Sequence, residues 1–405
     1  MLVAKILKLL LPSQLYDQAR LFYNQFLRKS SCREVVPDLE DWDVFLNDPR
    51  IDPRLATMLQ AYKESQSEEM ASIYWAILSR KNVKQLLDQG YENFKQTVAL
   101  NYFTWLLCSK DPQERFLIDN LPKTSVAKAK KMASSSPMHP CFTTEQSLHY
   151  NYINYLLWDY VERTVGKKII NDLNEPQEGN PPSIKLNGKE ISQDLANSIL
   201  EYLSITQGLP EIRNINSIIE LGAGYGRTAY VFLRLLPHLK YVIVDIPPAL
   251  YISERYLSSQ FPNYNIFKFR PFHSFSQVSD EFYDSQIAFL MPNQLPLIPA
   301  KTADIFLAID CLHEMQPRQI RQYFEMFDTL SQYFYLKCWK KTKIPYDNIS
   351  LTQEDYPFLT HWQNLFFRDC RVQNTYFEAM FHIRGSREDG RPGTGSKRGS
   401  SCENA

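Results

Sequence analysis

Asp310, His313 and Glu314 gather two carboxylates and an imidazole into one short stretch of the chain. An imidazole titrates near neutral pH, so His313 is the expected general base, with Asp310 or Glu314 orienting its ring. The same groups offer oxygen and nitrogen to a divalent cation, but no second cluster in the sequence completes a shell, and no metal is expected. Cys311, lying between them, reads as a small buried residue rather than a nucleophile.

A second constellation runs from Ser217 to Arg227, where the apolar Ile218-Ile219-Glu220-Leu221 meets Gly222, Gly224 and Gly226 and then an apolar helical run, Thr228 to Leu236. Glycines at a strand-to-helix junction let backbone approach a ligand, and the helix start offers unpaired N–H groups. A dinucleotide fingerprint would need glycine at position 227, where Arg227 stands. Asp245 ends the next apolar run, Lys240 to Val244, at the separation where an acid meets a ribose. Asn293 and Gln294 follow the run Gln286 to Met291, and their amides can donate and accept together, as an adenine edge requires.

The pattern Glu220-x-Gly222-x-Gly224-x-Gly226 resembles the first motif of class I S-adenosylmethionine-dependent methyltransferases. From about Glu175 to Ile383 the chain further resembles a family of sugar O-methyltransferases. The matching stretches are 175–181 (Glu-Pro-Gln-Glu-Gly-Asn-Pro), 192–198, 289–294 (Phe-Leu-Met-Pro-Asn-Gln) and 313–315 (His-Glu-Met). Residues 309–314 are also similar to the Leu-His-Asp-Trp region of small-molecule O-methyltransferases, with Glu-Met in place of Asp-Trp. The resemblance implies a seven-stranded sheet and S-adenosyl-L-methionine as cofactor. Glu220, Gly222, Ala223, Gly224, Tyr225 and Gly226 would shape the methionine pocket, with Asp245 on the ribose and Asn293 and Gln294 near adenine. The implied reaction is methyl transfer to a hydroxyl of a sugar or glycosylated small molecule, with His313 taking the proton beside Asp310 and Glu314. Transfer to a nitrogen of a small molecule or protein, and a non-catalytic interaction protein of the same fold, are the alternatives.

Composition sets the outer limits. At 405 residues the chain exceeds one ordinary domain, and 44% hydrophobic with 22% charged residues is usual for a globular protein. The formal net charge is zero, so no global field favours nucleic acid or an anionic membrane. Seven cysteines, scattered and without a C-x-x-C pair, read as reduced thiols of a cytoplasmic protein. Met1 to Pro12 matches neither a membrane span nor a signal peptide and reads as a packed or surface-docking helix.

The elements that must position the chemistry follow from periodicity. Residues 1–140 read as a helical N-terminal domain that covers the site or forms a homo-oligomer, with Lys123 to Pro137 as a solvated linker or anion-binding loop. Residues 141–205 read as a connector and substrate cap. Within it, Thr143 to Val165 is an aromatic-rich helix, 174–182 a loop, Lys185 to Lys189 a hairpin turn, and Ser192 the N-cap of the next helix. Tyr150, Tyr155, Glu175, Asn180, Trp339 and Trp362 are the expected substrate walls. Residues 206–384 alternate strand and helix as in an α/β, doubly wound, Rossmann-like sheet, with Arg371 to Ile383 supplying the terminal strands. Residues 385–405 read as a disordered tail.

Overall fold

The computed structural model describes residues 36–66, 71–99, 112–209 and 211–383. The expected N-terminal helix of Met1 to Pro12, the helical pattern from Leu15 to Phe26 and the tail from 385 onward lie outside the described residues.

The first part is helical: α1 (Trp42–Leu46), α2 (Pro53–Glu64), α3 (Ile73–Gln89), α4 (Pro112–Asn120), α5 (Lys123–Ser135), α6 (Thr144–Val165) and α7 (Lys167–Asn171). Local chemistry sets the starts. Asp52 caps α2 ahead of Pro53, Ser72 caps α3, and Thr143 with Gln146 closes a reciprocal capping box on α6. The stretch expected to be a linker or anion-binding loop is instead the helix α5, which buries Ala129 and Ala133. Alanine and lysine are strong helix formers, and a small-residue stripe lets one helix lie close on another without large apolar side chains.

A two-stranded hairpin follows, β1 (Ile184–Leu186) and β2 (Lys189–Ile191), turning at Asn187 and Gly188, both at positive φ as such a tight turn requires. Then come α8 (Gln193–Gly208), β3 (Ser217–Leu221), α9 (Arg227–Leu235), β4 (Lys240–Val244), α10 (Ala249–Gln260), β5 (Ile266–Phe267), α11 (Ser279–Asp284), β6 (Ile287–Leu290), β7 (Ala303–Ile309), α12 (Pro317–Leu330) and β8 (Ser331–Trp339). A second hairpin, β9 (Lys341–Ile344) with β10 (Ile349–Thr352), precedes β11 (Trp362–Asp369) and β12 (Tyr376–Ile383). The terminal strands therefore begin at Trp362, earlier than the expected Arg371, and residues 371–375 form the turn between them.

The eight-stranded sheet has the order β11-β12-β8-β7-β3-β4-β6-β5. Its pairs are parallel except where β12 runs antiparallel between β8 and β11. Without the short edge strand β5 this is a seven-stranded, doubly wound, Rossmann-like sheet. Buried strands send alternate side chains to opposite faces. Ile218, Tyr241, Ile243 and Ile305 pack into one core, whereas Ile219, Val242, Val244 and Phe306 pack into the other.

The first of these cores also takes in Trp42, Leu59, Phe94 and Trp158, so the N-terminal helices and one face of the sheet share one apolar cluster. Polar bonds pin the same junction. Arg54 on α2 forms a fork with both oxygens of Glu254 at 2.7 Å, and Asp347 in the β9–β10 turn accepts from the backbone N–H groups of Ile73 and Tyr74. No helix among the described residues is long and apolar enough to cross a membrane.

Candidate active site

The carboxyl ends of β3, β4 and β7 open into a cleft of about 1360 Å³, including its solvent-open mouth. Glu220, Gly222, Ala223, Gly224 and Tyr225 form one wall, with Asp245 above them. Tyr62, Ser72 and Trp75 of the N-terminal helices lie in its lining, together with Gln193, Asp194 and Asn197 of α8. Asp310, Met315, Gln319, Tyr323, Gln373 and Tyr376 complete the opposite side.

The glycine loop is shaped by two different demands. At Gly222 (φ 69°) an added Cβ would sit 2.5 Å from the Cβ of Cys311, so the protein itself fills that space. At Gly224 (φ 59°) an added Cβ would meet nothing within 4 Å, because that position looks into the cleft. Gly226 starts α9 and abuts Leu257, and it is not among the cleft walls.

Two adjacent loop residues each hold a carboxylate. The Gly224 N–H donates to Asp245 Oδ2 at 2.7 Å, while the Tyr225 hydroxyl donates to Asp194 Oδ2 at 2.6 Å. The Ile246 N–H completes the Asp245 cradle at 2.7 Å. Burial pushes both acids up to about 7, against the pull of these hydrogen bonds and, for Asp194, of Arg227. Glu220, 2% exposed, is likewise pushed by burial to about 8 while accepting from the Tyr241 hydroxyl at 2.8 Å.

Asp310 stands at φ 58°, in the left-handed region that aspartate tolerates better than most residues, with its N–H bonded to Lys337 O at 2.8 Å. Burial raises its carboxyl to about 6, opposed by Lys337, Arg227 and a hydrogen bond with Tyr376. His313 stands behind it. The ring is 2% exposed and is not among the cleft walls; its Nε2 lies 3.6 Å from Asp310 and 3.7 Å from Glu314, and its Nδ1 has no partner. Burial lowers its pKa to about 3, so the imidazole is neutral. Glu314, also outside the cleft lining, shares a hydrogen bond with Trp75, and burial raises its pKa well above the usual range. Among the described residues no group of three or more His, Cys, Asp and Glu side chains is arranged to hold a metal ion.

Several expected contacts are spent elsewhere. Asn293 and Gln294 are outside the cleft lining; the Gln294 amide accepts from Met291 N–H and donates to Arg270 O, capping its own turn. Glu175 is buried in an ion pair with Lys95 at 2.5 Å, Asn180 bonds Asn93, and Tyr155 bonds Lys185 O. Tyr150 packs on His139 and Phe142, and Trp362 stacks on Phe324 while donating to Asp328. Trp339 packs against Tyr376, one step from the cleft.

The walls the sequence did not single out come from α2, α3 and α8. The signal on α8 was a cluster of polar residues, Gln193, Asp194 and Asn197, beside that helix's apolar face, whereas Tyr62 of α2 and Trp75 of α3 are aromatic residues of a kind that also fills cores. Arg227 also acquires a partner. It binds Glu201 through two nitrogens at 2.5 and 3.0 Å, and Lys337 binds the same carboxylate at 2.7 Å and Gln373. Despite burial, these two cations hold Glu201 at about 2.

No family model matches the chain, and no curated protein matches it. Among solved structures it is similar to the Burkholderia thailandensis 1,6-didemethyltoxoflavin-N1-methyltransferase bound to 1,6-didemethyltoxoflavin and S-adenosylhomocysteine. The identity is 15%, the match covers 47% of this chain and 78% of that one, and the TM-score is 0.32. It is also similar to a SAM-dependent methyltransferase from Aquifex aeolicus, at 11% identity over 46% of this chain and 89% of that one, with a TM-score of 0.29. A geranyl diphosphate methyltransferase in complex with GPP and sinefungin is similar at 8% identity over 47% of this chain and 79% of that one, with a TM-score of 0.32.

Proposed function

We propose that the chain is an S-adenosylmethionine-dependent O-methyltransferase acting on a hydroxyl of a sugar or glycosylated small molecule. The observation that carries this is one cleft with a glycine loop and Asp245 at one end and Asp310 facing the same space from the end of β7. The residues fit the cofactor: Gly224 leaves open volume where a side chain would stand, and Asp245 offers a carboxylate to ribose hydroxyls from a cradle of two N–H groups. When bound, the cofactor supplies an electrophilic methyl group.

Asp310 is the proton acceptor in this reading. With a pKa near 6 it is largely ionised at neutral pH, and it lines the cleft, whereas His313 is neutral and stands behind it. His313 and Glu314 act as positioning residues that back the Asp310 turn. Around Asp310 the cleft presents the amides of Gln319 and Gln373 and the rings of Tyr323, Tyr376 and Trp75. Neutral hydrogen-bonding groups beside aromatic faces suit a polyhydroxylated acceptor. Arg227, the one lysine or arginine among the described lining residues, is engaged by Glu201, which favours an uncharged acceptor over a phosphorylated one.

The test is methyl transfer from labelled cofactor into a panel of nucleotide-linked sugars, glycolipids and aglycones, read by mass, with Asp310→Asn and His313→Ala alongside wild type. Asp310→Asn is expected to lower turnover by about a hundredfold or more and His313→Ala by about tenfold or less. A panel without any methylated sugar would remove the acceptor assignment. Full turnover in Asp310→Asn would remove the base.

A further inference from the structure

The first turn of α8 carries chemistry that the proposed reaction leaves unused. Gln193, Asp194 and Asn197 fall at i, i+1 and i+4, so they share one helix face, and all three line the cleft opposite the glycine loop. The neighbouring face, with Leu195, Ala196 and Ile199, is apolar core. Gln193 is 1% exposed, and its Oε1 has no hydrogen-bond partner. A buried amide oxygen without a partner costs stability unless something else satisfies it.

The position relative to the loop is specific. Asp245 and Asp194 are tethered by the successive residues Gly224 and Tyr225, so the loop runs between two carboxylates. Asp245 is the ribose acid of the proposed reading. Asp194 then lies toward the other end of any ligand laid along the loop. It accepts one hydrogen bond from Tyr225 on Oδ2, and a carboxylate has capacity for several more. Around it, Arg227 and Lys95 are cationic, but each is engaged by another carboxylate, Glu201 and Glu175 respectively. Asp194 is left to a cation from the ligand. The Gln193 and Asn197 amides stand beside it at a helix start, where partial positive charge favours an anion. An acid, two amides and a helix start together match a zwitterion.

We propose that Asp194, with Gln193 and Asn197, is the subsite for the α-amino-acid head of the cofactor, the Asp194 carboxylate taking the ammonium and the amides the carboxylate. This rests on the S-adenosylmethionine reading. It makes the cofactor site composite, because α8 lies before the glycine motif in the chain.

The test compares two ligands by calorimetry on the full chain: S-adenosylhomocysteine, which has the amino-acid head, and 5′-methylthioadenosine, which lacks it. In Asp194→Asn, S-adenosylhomocysteine is expected to weaken by about tenfold to a hundredfold, while 5′-methylthioadenosine stays within about twofold. Asn197→Asp, which sets a negative charge against the ligand carboxylate, is expected to give the same selective loss and serves if Asp194→Asn fails to fold. Equal weakening of both ligands, or unchanged S-adenosylhomocysteine affinity in both variants, would overturn the subsite. Wild type binding neither ligand would instead overturn the cofactor reading beneath it.

Discussion

Gly222 and Gly224 both have positive φ, yet alanine at the two positions should fail in opposite ways. For Gly224→Ala the cost is conformational. An L-residue in the left-handed region costs about 1–2 kcal/mol, and the new Cβ meets no protein atom within 4 Å. The fold should survive with a melting temperature lower by a few degrees. The same methyl group occupies ligand space, so S-adenosylhomocysteine affinity should fall by about a hundredfold, or roughly 2.7 kcal/mol. For Gly222→Ala the conformational cost is the same, and the Cβ also lands 2.5 Å from the Cβ of Cys311. Overpacking of this kind adds about 1–3 kcal/mol. Chemical denaturation and calorimetry on both variants separate the two effects. Cys311→Gly in the Gly222→Ala background removes the clashing atom and should recover part of the lost stability, as a double-mutant cycle would register. If Gly224→Ala binds S-adenosylhomocysteine like wild type, the loop does not contact that ligand and the site assignment fails. Were Cys311→Gly to give no recovery, the steric account of Gly222 would be refuted.

Glu201→Gln leaves Arg227 and Lys337 beside a neutral amide in a buried site, and should destabilise the protein by about 3–5 kcal/mol; an unchanged denaturation midpoint would contradict that. The raised carboxyls of Asp194, Glu220, Asp245 and Asp310 mean that the ligand-free fold binds more protons than the unfolded chain between their ordinary values and about 6–8. Stability contributed by these groups is therefore fully present below their ordinary values and is lost as pH rises through that window, so thermal melts should decline from about pH 4.5 to about pH 8. A cationic ligand offsets the developing negative charge, and the thermal shift produced by S-adenosylmethionine should grow over the same range. Asp245→Ala should weaken S-adenosylhomocysteine and 5′-methylthioadenosine alike, since both carry the ribose, and a selective loss of one would contradict the ribose role.

The doubly wound sheet was legible because its strands are continuous apolar runs and its helices carry clear caps, and the glycine loop because three glycines end a strand. What sequence could not convey was direction. His313 and Asp310 are three positions apart, but a left-handed backbone at Asp310 aims its carboxylate into the cleft while His313 turns toward Trp339 and Tyr376. Glu175, in a polar loop, resembled a substrate contact until Lys95, distant in sequence, was found buried against it. The Gln294 amide was equally ambiguous, because a side chain able to read an adenine edge is equally able to cap its own backbone. The α5 helix was missed for a different reason, since its packing face is alanine rather than leucine.

The place of β12 in the sheet bears on how the protein is made. This strand, residues 376–383, lies between β11 and β8, both synthesised before it. Until residue 383 has left the ribosome, β8 is paired with β7 on one side only, and the nascent chain presents Phe334 and Leu336 on a strand with one open edge. Glu378 on β12 also accepts from the hydroxyls of Tyr335 and Ser204 and pairs with Arg368, so one late residue satisfies groups from three earlier elements. Completion of the sheet is thus a late event in biosynthesis, and the half-made chain is the form most exposed to aggregation and most in need of a chaperone.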